Sequence, residues 1–323
     1  MTCLTPAELT GVSLGPHTFA VRAVDAAGNA DATPATFDWE VVAGIVMAAG
    51  DIACAPGSGV TASACRHQQT SDLLVNEPEL TNVLALGDMQ YEDSCYAEFM
   101  GSGAYDATWG RKKAITRPLP GNHEYHDPTP CPPVADGYFT YFGSAAGDYG
   151  KGYYSFDIGP WHVIALNSNI SAGATSAQGI WLAGDLAAMT KPCTLAMWHR
   201  PRYSSGSSHG NSPPESPATA MWDAVYDAGG DVVLTAHEHS YERFAPQNKS
   251  GERDDVRGIR EFVVGTGGAS HGAFMVAAPS TSEVRNSNTY GVLKLTLRAA
   301  SYEWEFVPEA GGAFTDSGSG TCH

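Results

Sequence analysis

Asp51, Asp88, Asn122, His199 and His237 each stand at the end of a short apolar run, with Tyr91 close behind Asp88 and His239 close behind His237. Carboxylate, phenolic and amide oxygens mixed with imidazole nitrogens suit iron, manganese or zinc, and the lack of thiolates argues against a structural zinc site. The set exceeds what one tetrahedral ion takes, so it implies two ions with one carboxylate bridging them. Two ions about 3.5–4 Å apart clamp both ends of an in-line phosphoryl displacement, and water held by a metal supplies hydroxide near neutral pH.

These residues need a scaffold that gathers strand ends. Ile45–Ala49, Val83–Leu86, Ile115–Leu119, Cys193–Trp198 and Asp231–Thr235 read as buried strands, and α/β sheets place ligand sites at the carboxyl ends of their strands. Helices are expected over residues 65–77, 178–189 and 218–226, and a hairpin turns at Gly159-Pro160. Further strands are expected at 261–265, 291–297 and 301–306. The Ser-, Gly- and Pro-rich stretch 204–217 reads as a loop bordering a site.

The blocks Gly50-Asp51, Gly87-Asp88-Met89-Gln90-Tyr91, Gly121-Asn122-His123-Glu124, Trp198-His199 and Ala236-His237-Glu238-His239-Ser240-Tyr241-Glu242-Arg243 resemble the calcineurin-like metallophosphoesterases. Gly-Asp-x-x-Tyr and His-x-His-x-Tyr-Glu-Arg are similar to the purple acid phosphatase branch. That resemblance implies a four-layer α/β/β/α sandwich. It assigns Asp51, Asp88, Tyr91 and His239 to an Fe(III) ion and makes Asp88 the bridge. Asn122, His199 and His237 complete a second site for divalent Zn, Mn or Fe. His123 faces the substrate phosphate, and His209 matches a further active-site histidine of the plant members.

Other roles follow from residue chemistry. His123 is expected to hydrogen-bond phosphate or protonate the leaving alkoxide, and Glu124 to orient a histidine from outside the ligand set. Arg200 and Arg202 are candidate phosphate anchors, since a guanidinium matches phosphate bidentately. Glu242 and Arg243 read as a pair buttressing the histidine turn. His17, His126, His162 and His271 read as structural or solvated, and the sequons at Asn169 and Asn248 as unused. Ala236 stands where the family usually has glycine.

The chain of 323 residues carries 35 acids against 18 bases, a formal charge of -17. Such a surface excludes nucleic acid as a partner, and no apolar run is long enough for a membrane-spanning helix. Any attraction for an anionic substrate must therefore be local. The seven cysteines form no C-x-x-C motif, so disulfides in an oxidising compartment are expected. Cys54 pairs with Cys65, Cys95 with Cys131 and Cys193 with Cys322 in this reading, leaving Cys3 over.

Residues 1–42 alternate apolar and polar residues and resemble the last strands of a bacterial immunoglobulin-like domain. They are read as its remnant, with residues 43–323 as the catalytic domain. No basic-then-apolar leader follows Met1, so a secreted or cell-surface bacterial protein would have lost its export signal. The expected activity is hydrolysis of phosphate monoesters by metal-bound hydroxide. A phosphodiesterase or nucleotide hydrolase on the same centre is the alternative. A non-catalytic cell-surface metal-binding or adhesion protein is the alternative from another class.

Overall fold

Period-two alternation decides which layer each strand builds. In this computed structural model, which describes residues 9, 11–126, 131, 133–207, 210–213, 216–275 and 277–323, the strands and helices run as follows. First come β1 (Gly15–Val21), β2 (Ala35–Val41), β3 (Gly44–Ala49), α1 (His67–Asn76), β4 (Leu80–Ala85), α2 (Tyr96–Phe99), β5 (Thr116–Pro118) and α3 (Asp136–Phe142). Then follow β6 (Tyr154–Ile158), β7 (Trp161–Ala165), α4 (Ala177–Ala188), β8 (Cys193–Met197), α5 (Pro217–Asp227) and β9 (Val232–Thr235). The chain closes with β10 (Tyr241–Phe244), β11 (Arg260–Val264), β12 (Ser282–Asn286), β13 (Gly291–Leu297), β14 (Ser301–Pro308) and β15 (Ser317–Thr321).

Two sheets face each other. One has the order β15-β14-β13-β3-β4-β5, the other β12-β10-β11-β9-β8-β7-β6. Val163, Leu195, Met197, Val232, Leu234 and Phe262 point between the sheets and join Val46, Ala48, Leu293 and Leu295 in one core. Their neighbours Ile164, Ala196, Val233 and Val263 point outward and pack with Leu182 of α4 and Met221, Trp222 and Val225 of α5. Helix α1 covers the other sheet, with Leu74 buried. The result is the expected four layers of helix, sheet, sheet and helix. Both outer helices on the seven-stranded side start on a serine: the Ser176 and Ser216 hydroxyls accept from Gly179 N and Thr219 N, and Pro217 sits at the first helical position.

All three expected disulfides are present: Cys54–Cys65, Cys95–Cys131 and Cys193–Cys322. Cys3 lies outside the described residues. Glu242 and Arg243 do not pair with each other. Adjacent residues of β10 face opposite ways, so Glu242 accepts from Ser205 N, Ser205 Oγ and Ser282 Oγ, while Arg243 binds Asp316 and Glu283.

Among the described residues β1 and β2 pair only with each other, placing His17 opposite Trp39 and Phe19 opposite Phe37. The strand ends at Val21, and after it a single Val24–Ala30 bridge encloses a turn in which the Asp25 carboxylate takes the backbone amides of Ala27 and Asn29. The hairpin is tied to the sandwich by a Glu40–Arg298 ion pair and by Ala43 N donating to Leu297 O at 2.8 Å.

Candidate metal centre

Strands β3, β4 and β5 run parallel in one sheet, and β7, β8 and β9 run parallel in the other. Their carboxyl ends meet at one edge of the sandwich. There β3 delivers Asp51, β4 delivers Asp88, and the turns after β5, β8 and β9 deliver Asn122, His199 and His237. The sheets are joined at this edge: His237 N donates to Asp51 Oδ2 at 2.8 Å, and the His199 ring bonds Leu86 O at 2.8 Å. Asp51 (φ 57°), Asp88 (φ 48°) and His237 (φ 70°) all adopt the left-handed backbone region. That conformation costs about 1–3 kcal/mol at each residue other than glycine and clusters at functional sites.

On one side, the Tyr91 hydroxyl lies 3.1 Å from Asp51 Oδ1, 3.4 Å from Asp88 Oδ2 and 3.0 Å from His239 Nε2. The other nitrogen of His239 is held by Ser270 O and Oγ at 3.1 and 2.9 Å. On the other side, His199 Nε2 lies 3.1 Å from Asn122 Oδ1, 3.2 Å from Asp88 Oδ2 and 3.2 Å from His237 Nδ1. Asp88, His199 and His237 each present a donor atom, all within 4.8 Å of one another. Asp88 touches both groups, as a bridging carboxylate must. His199 and His239 each bond a backbone carbonyl with the far nitrogen, which turns the near nitrogen inward, the usual arrangement of metal-binding histidines. The donor set therefore fits two hard or borderline cations.

The electrostatics agree. Burial would raise the Asp88 carboxyl, but the charge and hydrogen bond of His199 outweigh it and hold Asp88 below the usual carboxylate range. Burial pulls His199 down, yet Asp88 lifts it to about 9. Burial pushes the Tyr91 phenol well above its ordinary value, and the charges of Asp51 and Asp88 push it further. Asp88 is thus kept as a carboxylate while His199 and Tyr91 hold their protons more tightly, the mark of a negative site that attracts cations.

Glu124 is buried, but it orients backbone rather than a histidine. It accepts from Asp88 N, Met89 N, Gly121 N and Ser94 Oγ at 2.6 to 3.0 Å, bracing the two turns that carry Asp88 and Asn122. His123 has one ring nitrogen 2.6 Å from Glu92 O, while its Nε2 stands 4.0 Å from Asp88 Oδ2, facing the centre. Ala236 is accommodated because Gly50 lies opposite: a Cβ on Gly50 would sit 2.5 Å from the Ala236 methyl.

A cleft of ≈ 930 Å³ opens beside Asn122 and His237, and Arg200, Asn169, Asn211 and Ser212 line it. Arg200 is half-buried, and its Nη1 lies 3.2 Å from His237 Nε2. Arg202 does not line the cleft: its Nη1 donates to Ser212 O at 2.9 Å and its guanidinium sits 4.4 Å from the centre of the Tyr203 ring. His209 lies outside the described residues. Sequence reasoning missed the wall built by Tyr125, His126, Ser168 and Asn169. These are loop residues with no strand-end signature. His126, expected to be structural or solvated, is exposed, with Nδ1 2.8 Å from Asp93 Oδ1, and it lines the cleft.

Comparison with known proteins places this arrangement. Purple acid phosphatase 15 of Arabidopsis thaliana is 29% identical over 201 residues, covering 54% of this chain and 37% of that protein. Purple acid phosphatase 22 of the same plant is 32% identical over 160 residues, covering 47% of this chain and 36% of that protein. The chain thus spans little more than a third of these relatives. Among solved structures, the purple acid phosphatase PPD1 of yellow lupin (Lupinus luteus) superposes with a TM-score of 0.66 at 19% identity, covering 94% of this chain and 59% of that one. It shares the fold. The family model described as calcineurin-like phosphoesterase matches residues 45–241, the stretch that contains every converging donor, and the chain belongs to that family.

Proposed function

We propose that the chain hydrolyses phosphate monoesters at a dinuclear centre of the purple acid phosphatase type. The observation that carries this reading is the convergence of Asp51, Asp88, Tyr91 and His239 with Asn122, His199 and His237 at one sheet edge, open to a cleft. Asp51, Asp88, Tyr91 and His239 would hold one ion, and Asn122, His199 and His237, sharing Asp88, the other. When bound, the ions supply Lewis-acid activation of water and neutralise phosphate charge. A phenolate beside two buried carboxylates needs a highly charged partner, which favours Fe(III) on the Tyr91 side and divalent Zn, Mn or Fe on the other.

The chain's own residues do the rest. Arg200 anchors a phosphate oxygen at the cleft wall. His123, oriented through Glu92 O, hydrogen-bonds the phosphoryl group or gives the leaving oxygen its proton. His209 belongs to the same proposal by position in sequence. Three disulfides favour an oxidising location outside the cytosol, and residues 1–42, which contain the β1–β2 hairpin, are read as the remnant of an immunoglobulin-like β domain.

Metal analysis with a visible spectrum, together with rates on p-nitrophenyl phosphate and bis(p-nitrophenyl) phosphate, tests the reading. The expected result is two ions per chain, visible absorption from Tyr91 on Fe(III), and faster monoester turnover. Colourless protein with two zinc ions would remove the iron assignment. No turnover with iron, zinc and manganese supplied would remove the hydrolase.

A further inference from the structure

We propose that Asn169 is a positioning residue for Asn122, locking the second metal position from the end of β7. This rests on the dinuclear reading above. Strand β7 lies parallel to β8, so the loop after it emerges at the same edge as the candidate ligands, although it supplies no donor of the expected kind.

Instead it supplies a brace. The Asn169 side-chain nitrogen donates to Gly121 O at 3.0 Å and lies 3.2 Å from Pro120 O. The Gly121 carbonyl belongs to the peptide group that carries the Asn122 nitrogen. Holding it fixes the plane from which the Asn122 side chain projects towards His199. Asn169 is itself held: its backbone N–H donates to Asn167 Oδ1 at 3.0 Å, and Asn167 exchanges two hydrogen bonds with Gln178 at the start of α4. Asn167 and Gln178 are fully buried. One residue earlier, the Ser168 hydroxyl accepts from Arg200 N at 3.2 Å, beside His199. Residues 167–169 therefore brace Asn122 from one sheet and the His199–Arg200 turn from the other.

A neutral amide is a weaker ligand than a carboxylate, so its contribution depends on being held in place beforehand. Loss of such supporting partners typically lowers metal affinity about 10–100-fold. The same bonds account for the sequon at Asn169 as structure, since its nitrogen already points at two carbonyls.

The test is chelator competition on purified zinc-loaded protein, followed by metal analysis, for wild type, Asn169→Ala and Asn169→Asp. Wild type is expected to hold two ions. Asn169→Ala should keep one ion at wild-type affinity and hold the other about 10-fold more weakly. Asn169→Asp should lose more, because a carboxylate would face the two carbonyls. Equal weakening of both ions would mean a general structural role and overturn the proposal, as would wild-type affinity at both positions. If Asn169→Asp does not fold, Asn169→Ser, which keeps a donor, should fall between wild type and Asn169→Ala. A wild-type chain with fewer than two ions would instead remove the dinuclear reading, and this inference with it.

Discussion

The N-terminal hairpin and the sandwich are written in the same alternating code and have opposite fates. In β8 each alternate residue finds a layer, with Leu195 and Met197 between the sheets and Ala196 against the helices. In β1 and β2 the apolar face carries Phe19 and Phe37, which are 43% and 67% exposed. Alternation specifies a strand; burial depends on a second layer placed over it, which, among the described residues, the sandwich has and the hairpin does not. Two paired strands alone are marginal in water. The stability and chemistry of the molecule should therefore reside in the sandwich, with the hairpin contributing little to either.

The sharpest test of that division is Asp88→Asn, which removes the carboxylate shared by both donor groups. It should lower kcat/KM on p-nitrophenyl phosphate about 10⁴-fold, the equivalent of several kcal/mol of metal-assisted stabilisation. His123→Ala should lower kcat about 10²-fold, the lower end for acid–base assistance, with two ions still bound by metal analysis. Removing the Cys193–Cys322 bridge, which closes a separation of 129 residues, by Cys193→Ser with Cys322→Ser should cost about 2–5 kcal/mol in urea unfolding.

His162 gives a smaller effect with a defined sign. Its ring bridges Asp185 and Asp157 at 2.9 Å each, and the Asp185 hydrogen bond raises it above 6.5 despite partial burial. A raised folded value means that its stabilisation is complete below about pH 6.5 and is lost as pH rises through the folded value. Thermal midpoints of wild type and His162→Gln should thus differ most in acid and converge in base. The smallest effect should come from deleting residues 1–42. Unfolding free energy should change by less than about 1 kcal/mol, since the Glu40–Arg298 pair is a surface contact, and kcat/KM should stay within twofold. A large loss in either would break the comparison.

Five of the candidate ligands were legible in sequence because each follows a buried apolar strand, so one local pattern marks both the scaffold and the donor; Tyr91 and His239 stand two or three residues behind such a donor. What escaped detection depends on partners distant in sequence. β15 is Ser-Gly-Ser-Gly-Thr, with no apolar residue to mark it; it is a strand through its antiparallel pairing with β14, where a Cβ on Gly318 would stand 2.3 Å from the Trp304 ring. The roles of Arg202 and Glu124 were misjudged for a related reason. Neighbouring blocks fix which residues are near the centre, but the register of loops decides whether a guanidinium points into the cleft or back at Ser212. Asn169 lay in a sequon, a pattern that describes modification and gives no hint of the two carbonyls waiting for its amide.

The left-handed backbone at Asp51, Asp88 and His237 has a consequence for any attempt to make this protein more robust. Glycine adopts that conformation without strain, so a search for heat-tolerant variants by unfolding temperature alone would favour glycine wherever the strain released exceeds the bonds lost, such as the amides that Asp51 and Asp88 hold. Each gain would remove a donor from the centre. Selection for durability and selection for turnover should thus pull in opposite directions at these three residues, and a useful screen would have to read both at once.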